Sequence, residues 1–522
     1  MKLRELLADI EVAEIAGDAD AEIAGLAYDS RRVEPGTLFF CVPGQRSDGH
    51  EFGELAVEGG AAALVVERLL SLPVTQVRVA DARAAMASVA VRFWGDPTAK
   101  LRVAGVTGTN GKTTTAFLIR HVLEAHGTRT GLLGTVKRVV GGVEEEVERT
   151  TPEAIDLQRT FRRMLEEGDA ACAMEVSSHA LALERTTGVR FAVAVFTNLT
   201  QDHLDFHADM EEYFVAKRNL FSSMGAVAPG SGTRRQLPGT AVVNVDDAYG
   251  ARLARELGEA GEAPLLTFSP RGAQQADFRA LDVFFDASGS RFRCLGPGGD
   301  VEVRMALPGH FNVENALAAI GTCHALGVPA DAAAAALAGA GRVPGRFEPV
   351  DEGQPFAVLV DYAHTPDSLD NALRAARKLT GGRLIAVFGC GGDRDREKRP
   401  LMGEIVARLS DACVVTSDNP RSEEPQAIIA EILPGMTDSE NGEATGGGPG
   451  GHESPRGDVS VEPDRRAAIA LALGAAAPGD TVVIAGKGHE QGQEFAGGWK
   501  IPFDDREVAK EELRRLRSGS GV

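Results

Sequence analysis

Three features that would send a chain of 522 residues elsewhere are missing from this one. Cysteines at short paired spacing are absent. The six present, Cys41, Cys172, Cys294, Cys323, Cys390 and Cys413, are scattered singly. That spacing suggests neither a disulfide framework nor a zinc module and fits a reducing compartment. No apolar run reaches the ~20 residues of a membrane span. The opening MKLRELLADI carries no long apolar stretch behind its basic residues, so the expected location is the cytoplasm, with no membrane partner. A basic surplus is also lacking: 55 Lys+Arg against 75 Asp+Glu leave a formal charge of -20. Such a surface does not gather nucleic acid or anionic lipid, so a polyanionic ligand must be held by a local device.

What is present describes a compact chain. Hydrophobic residues are 43% and charged residues 25%, ordinary for globular proteins, and at ~100–200 residues per domain the length predicts about three domains. Residues 1–98 read as a small α/β domain, with short apolar runs such as Thr37 to Val42 and Ala62 to Val66 bounded by Gly, Pro or charge. Residues 99–341 change to strand, glycine loop and helix, and the runs Arg102 to Val106, Ala171 to Val176, Phe191 to Phe196 and Ala241 to Val245 alternate with helical stretches. That pattern predicts a doubly wound, mostly parallel sheet. Residues 342–522 repeat it with strands at Ala357 to Val360, Leu384 to Gly389, Ala412 to Thr416 and Thr481 to Ala485, which predicts a separate Rossmann-like unit. The stretch 435–458 is poor in apolar residues and is expected to be a mobile surface insertion, as is the tail 518–522.

The first chemical signal is Gly108-Thr109-Asn110-Gly111-Lys112-Thr113, between a strand and a helix. Successive backbone N–H groups and a helix N-terminus there suit phosphate oxygens, Lys112 would reach the outer phosphates, and Thr113 would bind magnesium. The common phosphate-loop pattern wants glycine where Val106 stands, so only its second half is matched.

Extended to Gly105 through Thr114, this string resembles the ATP loop of the Mur ligases, three-domain amide synthetases. Four more stretches agree: Met174 to Leu181, Asn198 to Asp205, Tyr213 to Lys217 and Asp361 to Pro366. The likeness runs from Asp29 to Arg506. It implies that ATP converts a carboxylate into an acyl phosphate that an amine then attacks, with Mg2+ neutralising charge between the two anions. It carries over Thr113 and Glu175 as ligands of one magnesium, His203 as a ligand of a second, and Lys217 as a lysine carbamylated by carbon dioxide into an anionic metal ligand. Lys112, Lys217, Glu175 and His203 are thereby the expected catalytic group. Gly108, Thr109, Asn110, Gly111, Lys112, Thr113, Thr114, Asn312, Asn315, Arg346 and Asp361 are expected to meet ATP, the last two from a third domain that closes during turnover. Taken singly, Lys217 reads as a solvated helix position, His203 as a capping or core histidine, and Asn312 and Asn315 as helix caps.

Within the family, Asp29 to Phe40 followed by Asp48-Gly49-His50 resembles members that accept UDP-N-acetylmuramoyl-L-alanyl-D-glutamate. The resemblance puts Ser30 at the uridine diphosphate and Thr150, Thr151, Ser177 and Arg185 at the muramoyl dipeptide. Leu183 stands where some relatives have glutamine. Asp418-Asn419-Pro420-Arg421 resembles the signature of members that add meso-diaminopimelate. Arg421 can take that substrate's second carboxylate, which lysine lacks. Arg394, Gly486 and Glu490 are carried over as further diaminopimelate contacts, Glu490 for the distal ammonium, although Arg394 alone reads as a surface ion-pair partner. The expected partners are therefore small molecules bound by a monomer. Rival readings are a ligase that adds lysine, a folylpolyglutamate synthetase, and an ATP-hydrolysing switch that forms no bond.

Overall fold

A computed structural model describes the chain except residues 45–46, 148, 223, 225–238, 437–457 and 520–522. Among the described residues, three main sheets of five, eleven and six strands follow one another along the chain. In the first, strands Gly25–Ala27, Thr37–Phe40, Ala61–Val66 and Thr75–Arg78 run parallel, and Glu14–Ala16 closes one edge antiparallel. Asp81 starts the covering helix Ala82–Phe93 by accepting from the N–H groups of Arg83 and Ala84.

The second sheet has a parallel centre in which Arg102–Thr107 lies between Ala171–Glu175 and Phe191–Phe196. Its strands are near-continuous apolar runs because helices cover both faces. Alternation assigns Ala104 and Val106 to the layer under helices Lys112–Ala125 and His310–Ala325, and Val103 to the layer under Ala154–Glu166 and Met210–Ser222. Antiparallel hairpins extend both edges: Arg138–Val140 with Val143–Glu145, and Gly289–Gly296 with Gly299–Met305. These flanks were not among the expected strands, since short polar hairpins lack the buried-run signal. The third sheet is parallel from Ala357–Asp361 to Asp458–Val461, with Glu348–Pro349 antiparallel at one edge.

Two boundaries differ from expectation. Met436 is buried in the C-terminal core and Asp458 already pairs as an edge strand, so both ends of the expected 435–458 insertion belong to ordered elements; its interior, 437–457, lies outside the described residues. Ser518 belongs to the last helix, Asp505–Gly519, where its hydroxyl donates to the Arg514 carbonyl at 3.0 Å.

The C-terminal unit rests on the carboxyl ends of the central strands, the crevice where ligands bind in open α/β sheets. Asn110 donates to Asp367 at 2.7 Å, Gln201 to Asp395 at 3.3 Å, and Arg346 Nη2 to Thr113 Oγ1 at 2.9 Å. On the other side Tyr28 donates to Asp156 at 2.7 Å, joining the N-terminal unit to helix Ala154–Glu166.

Candidate active site

The glycine loop is clasped by the segment after strand Phe191–Phe196. Thr109 N–H donates to the Asn198 carbonyl (2.9 Å) and Asn110 N–H to Asn198 Oδ1 (2.8 Å). Thr197 Oγ1 donates to the Asn110 carbonyl at 2.6 Å. Two of the loop's N–H groups are thus committed within the protein, so the expected cradle narrows to the first helical turn, Lys112, Thr113 and Thr114, whose N–H groups lack intrahelical acceptors. Gly111 sits at φ 88°, and a Cβ there would stand 2.4 Å from Asn315 Oδ1. Asn315 and Asn312 do not cap their helix: Asn312 donates to the Pro308 carbonyl, Asn315 to Asn312 Oδ1, and Asn315 Oδ1 accepts from Thr115.

A half-buried amine and a fully buried one meet at one carbonyl. Lys112 Nζ donates to the carbonyls of Gly108 and Thr109 at 2.9 and 2.8 Å, and Lys217 Nζ donates to Gly108 at 2.8 Å. Lys217 is 1% exposed, against its single-residue reading as a solvated position, and its amine lies 4.4 Å over the Tyr213 ring. Burial pushes the Lys112 ammonium down, partly opposed by Glu175 and Asp202. Burial, then the charge of Lys112, pushes Lys217 well below the usual lysine range.

Glu175, 1% exposed at the end of its strand, accepts from Thr113 Oγ1 (2.9 Å), Thr135 N–H (2.7 Å) and Thr135 Oγ1 (3.0 Å). Beside it, Thr150 and Thr135 share a 3.1 Å hydroxyl contact, Thr151 donates to the Glu175 carbonyl at 3.0 Å, and Ser177 N–H donates to Thr151 Oγ1 at 3.2 Å. Arg185 reaches the Thr151 carbonyl at 3.4 Å and pairs with buried Glu153 at 2.8 Å. Arg83 and Arg149 pair with the same carboxylate. His203 has φ 57° and places Nε2 3.3 Å from Asp202, whose buried carboxylate also faces Lys398 at 3.6 Å and His364 at 3.9 Å. Burial pushes His203 down to about 3 despite Asp202. Burial alone would raise Asp202, but His203, Lys398 and His364 hold it well below the usual carboxylate range.

The paired oxygens of Thr113 and Glu175 suit a hard divalent cation. Among the described residues no three His, Cys, Asp or Glu groups stand in metal-holding geometry.

The third cluster follows strand Ala412–Val415. Asn419 Oδ1 accepts from Lys487 Nζ (2.8 Å) and Glu494 N–H (3.0 Å), while Asn419 Nδ2 and Lys487 Nζ both donate to Glu490 Oε2 at 2.9 Å. Burial would raise Glu490, but the Lys487 charge and these hydrogen bonds lower it. Arg421, at φ 50°, donates through Nε to Glu494 at 3.2 Å and through Nη1 to the Gly392 carbonyl at 2.8 Å. Gly486 has φ 120°, and a Cβ there would lie 2.4 Å from Asp418 Oδ2, a buried oxygen without a hydrogen-bond partner among the described residues. Beneath lies the fully buried pair Arg465 and Asp505, bonded at 2.8 and 2.7 Å.

Comparison with known proteins matches most of the chain to one family. Residues 22–94 match the description "Mur ligase family, catalytic domain", 106–323 "Mur ligase middle domain" and 345–488 "Mur ligase, glutamate ligase domain". The chain is 46% identical over 516 residues to the UDP-N-acetylmuramoyl-L-alanyl-D-glutamate–2,6-diaminopimelate ligase of Syntrophomonas wolfei, covering 98% of this chain and 99% of that one. The chain belongs to the Mur ligase family. The protein of the same description from Streptomyces coelicolor is 46% identical over 521 residues, 99% of this chain and 97% of that one. A solved structure of such a ligase superposes with a TM-score of 0.67 at 30% identity, covering 99% of both chains.

In this Mur ligase the folded chain gathers the expected residues into three clusters, but not all of them. Thr113, Glu175, Thr150, Thr151, Ser177 and Arg185 come together, as do Lys112 and Lys217. Asp361 accepts from the N–H groups of Phe347 and Ala363, and burial raises it to about 6 although Arg346 opposes this. Arg346 itself reaches Thr113 and stacks 4.3 Å over Tyr362. Thr114 is buried on the loop helix, and Pro420 is buried between its neighbours. Ser30 stays apart, in a 3-10 turn whose Arg32 pairs with Asp156, which also accepts from nearby Tyr28. Arg394 is exposed and donates to its neighbour's carbonyl at 2.8 Å, with no carboxylate paired to it among the described residues. Asn198, Asp202, Glu153, Lys398, Lys487 and Glu494 were not singled out from sequence. Asn198 and Asp202 share His203's string and Lys487 lies between Gly486 and Glu490, so their setting was a usable signal. Glu153, Lys398 and Glu494 had none.

Proposed function

We propose that this Mur ligase uses ATP to add meso-diaminopimelate to UDP-N-acetylmuramoyl-L-alanyl-D-glutamate in peptidoglycan precursor synthesis, as a monomer in the cytoplasm. Among the described residues no helix is long and apolar enough to cross a membrane. The observation that carries the reading is Arg421 in its Asp418 to Arg421 string, half-buried and paired with Glu494 in a chain that is full-length similar to diaminopimelate ligases.

The first helical turn of the glycine loop receives the ATP phosphates, and Lys112 turns from its carbonyl acceptors to the outer phosphates. Arg346, Asp361, Asn312 and Asn315 complete the nucleotide site. Magnesium, when bound, supplies charge neutralisation between phosphate and carboxylate; Thr113 and Glu175 would hold one ion and His203 a second, with carbamylated Lys217 as an anionic ligand. Lys217 suits carbamylation because its amine is buried beside a second cation and favours the neutral, nucleophilic form. Thr150, Thr151, Ser177 and Arg185 orient the dipeptide so that its terminal carboxylate faces the phosphate donor, and Ser30 takes the uridine diphosphate end. Transfer of the terminal phosphoryl group gives an acyl phosphate and ADP. The diaminopimelate amine then attacks the acyl carbon, expels inorganic phosphate and gives up a proton. Asp418, Asn419, Pro420, Arg421, Gly486, Glu490 and Arg394 form the diaminopimelate site.

The test incubates the protein with ATP, magnesium and the UDP-dipeptide, offering meso-diaminopimelate or L-lysine separately while phosphate release and product mass are followed. Mass gain with diaminopimelate alone is expected. Gain with lysine alone would overturn the specificity, and phosphate release without any gain would overturn the ligase reading.

A further inference from the structure

The Arg421 guanidinium is held from two sides by groups that the proposed diaminopimelate site does not include. Its backbone stands in the left-handed region at φ 50°, a costly conformation for a residue with a side chain, which persists only where surroundings enforce it. Here the enforcement comes from the strand Gly492–Glu494: Arg421 N–H donates to the Glu494 carbonyl at 3.1 Å, and Arg421 and Phe495 form an isolated parallel bridge. The side chain of the same glutamate then accepts from Nε at 3.2 Å, and Gly392 accepts from Nη1 at 2.8 Å. Among the described residues Nη2 has no partner, so both of its N–H donors are open to a ligand. The Arg421 and Glu494 side chains are 19% and 29% exposed, which places their pairing at the mouth of the cluster and not in its floor.

We propose that Glu494 is a specificity-determining positioning residue that acts through Arg421, orienting the guanidinium so that Nη2 meets the distal carboxylate of the diamino acid substrate. This rests on the diaminopimelate reading of the site. An arginine side chain free to rotate loses rotamer entropy when a ligand immobilises it, and a carboxylate that already fixes its edge removes part of that loss before binding. Glu494 also leaves Arg421 compensated in the empty site, so the cation need not seek another acceptor. Glu490 cannot serve the same purpose, because its Oε2 is taken by Lys487 and Asn419.

The test is a double-mutant cycle on the full chain, with KM for meso-diaminopimelate and kcat measured for wild type, Glu494→Ala, Glu494→Gln, Arg421→Ala and the Glu494→Ala/Arg421→Ala pair. Glu494→Ala is expected to raise KM about tenfold with kcat within about twofold. Glu494→Gln, which keeps an acceptor oxygen, should recover part of that loss. In the Arg421→Ala background, Glu494→Ala should have no further effect, since the group it positions is gone. Unchanged KM in Glu494→Ala, or effects that simply multiply in the pair, would overturn the proposal while leaving the diaminopimelate reading intact. Wild type that uses no diaminopimelate would overturn both. Thermal unfolding of each variant separates lost folding from lost orientation, and a KM effect that follows Tm and not the presence of Arg421 also counts against the proposal.

Discussion

The central and C-terminal clusters both bury cations, but they treat them in opposite ways. In the C-terminal cluster each buried cation has a carboxylate: Arg465 has Asp505, Lys487 has Glu490, Arg399 has Glu423 and Glu431. Around the glycine loop, among the described residues, Lys112 donates only to backbone carbonyls. A buried charge without a counter-ion is expensive, and its cost is offset when an anion arrives. The loop therefore suits phosphates, whereas the compensated cluster suits a zwitterion such as an amino acid, which brings both signs at once.

This contrast can be broken first where charge is fully paired. Arg465→Met strands Asp505 in the interior and should lower unfolding stability by about 3–5 kcal/mol, read from denaturant midpoints. Lys112→Met removes an unpaired cation instead, so stability should hold or rise while ligation falls roughly 10²–10³-fold, measured by product mass over time. A large stability loss in Lys112→Met would refute the contrast. Arg421→Ala should weaken diaminopimelate use by roughly 1.5–3 kcal/mol in kcat/KM, the range of a charge-assisted hydrogen bond; an unchanged value would remove Arg421 from the site.

The smallest expected effect sharpens the comparison through pH. Glu314 accepts from Asn198 and Asn244 at 3.0 and 3.1 Å, and burial raises its carboxyl to about 7, with Asp367 and Asp247 adding to the rise. The folded state then keeps a proton that the unfolded chain releases near its ordinary value, so stability falls as pH rises from about 4.5 to about 7, on the order of 1–3 kcal/mol in all. Glu314→Gln keeps an acceptor for both asparagines and should flatten that slope in thermal melts. An equal slope in wild type and variant would assign it to other groups.

Much of this protein was legible along the chain. The buried strands of the two larger sheets announce themselves as apolar runs, and the glycine loop as a strand-to-helix junction, because both depend on neighbours within a few residues. The antiparallel flanks and the ordered ends of 435–458 were not legible, since partners elsewhere in the chain hold them.

The site divides along the same line. Sequence by itself determined the inventory: Lys112 and Thr113 at a helix start, Glu175 at a strand end, and Arg421 in a string that resembles diaminopimelate ligases. Only the tertiary structure decided which groups are already spent. Asn198 claims two loop N–H groups from 88 or more residues away, Lys217 is buried against the Gly108 carbonyl 109 residues away, and Glu494 reaches Arg421 across 73. Strand order and the seating of one unit on another set those distances, and no local spacing encodes them.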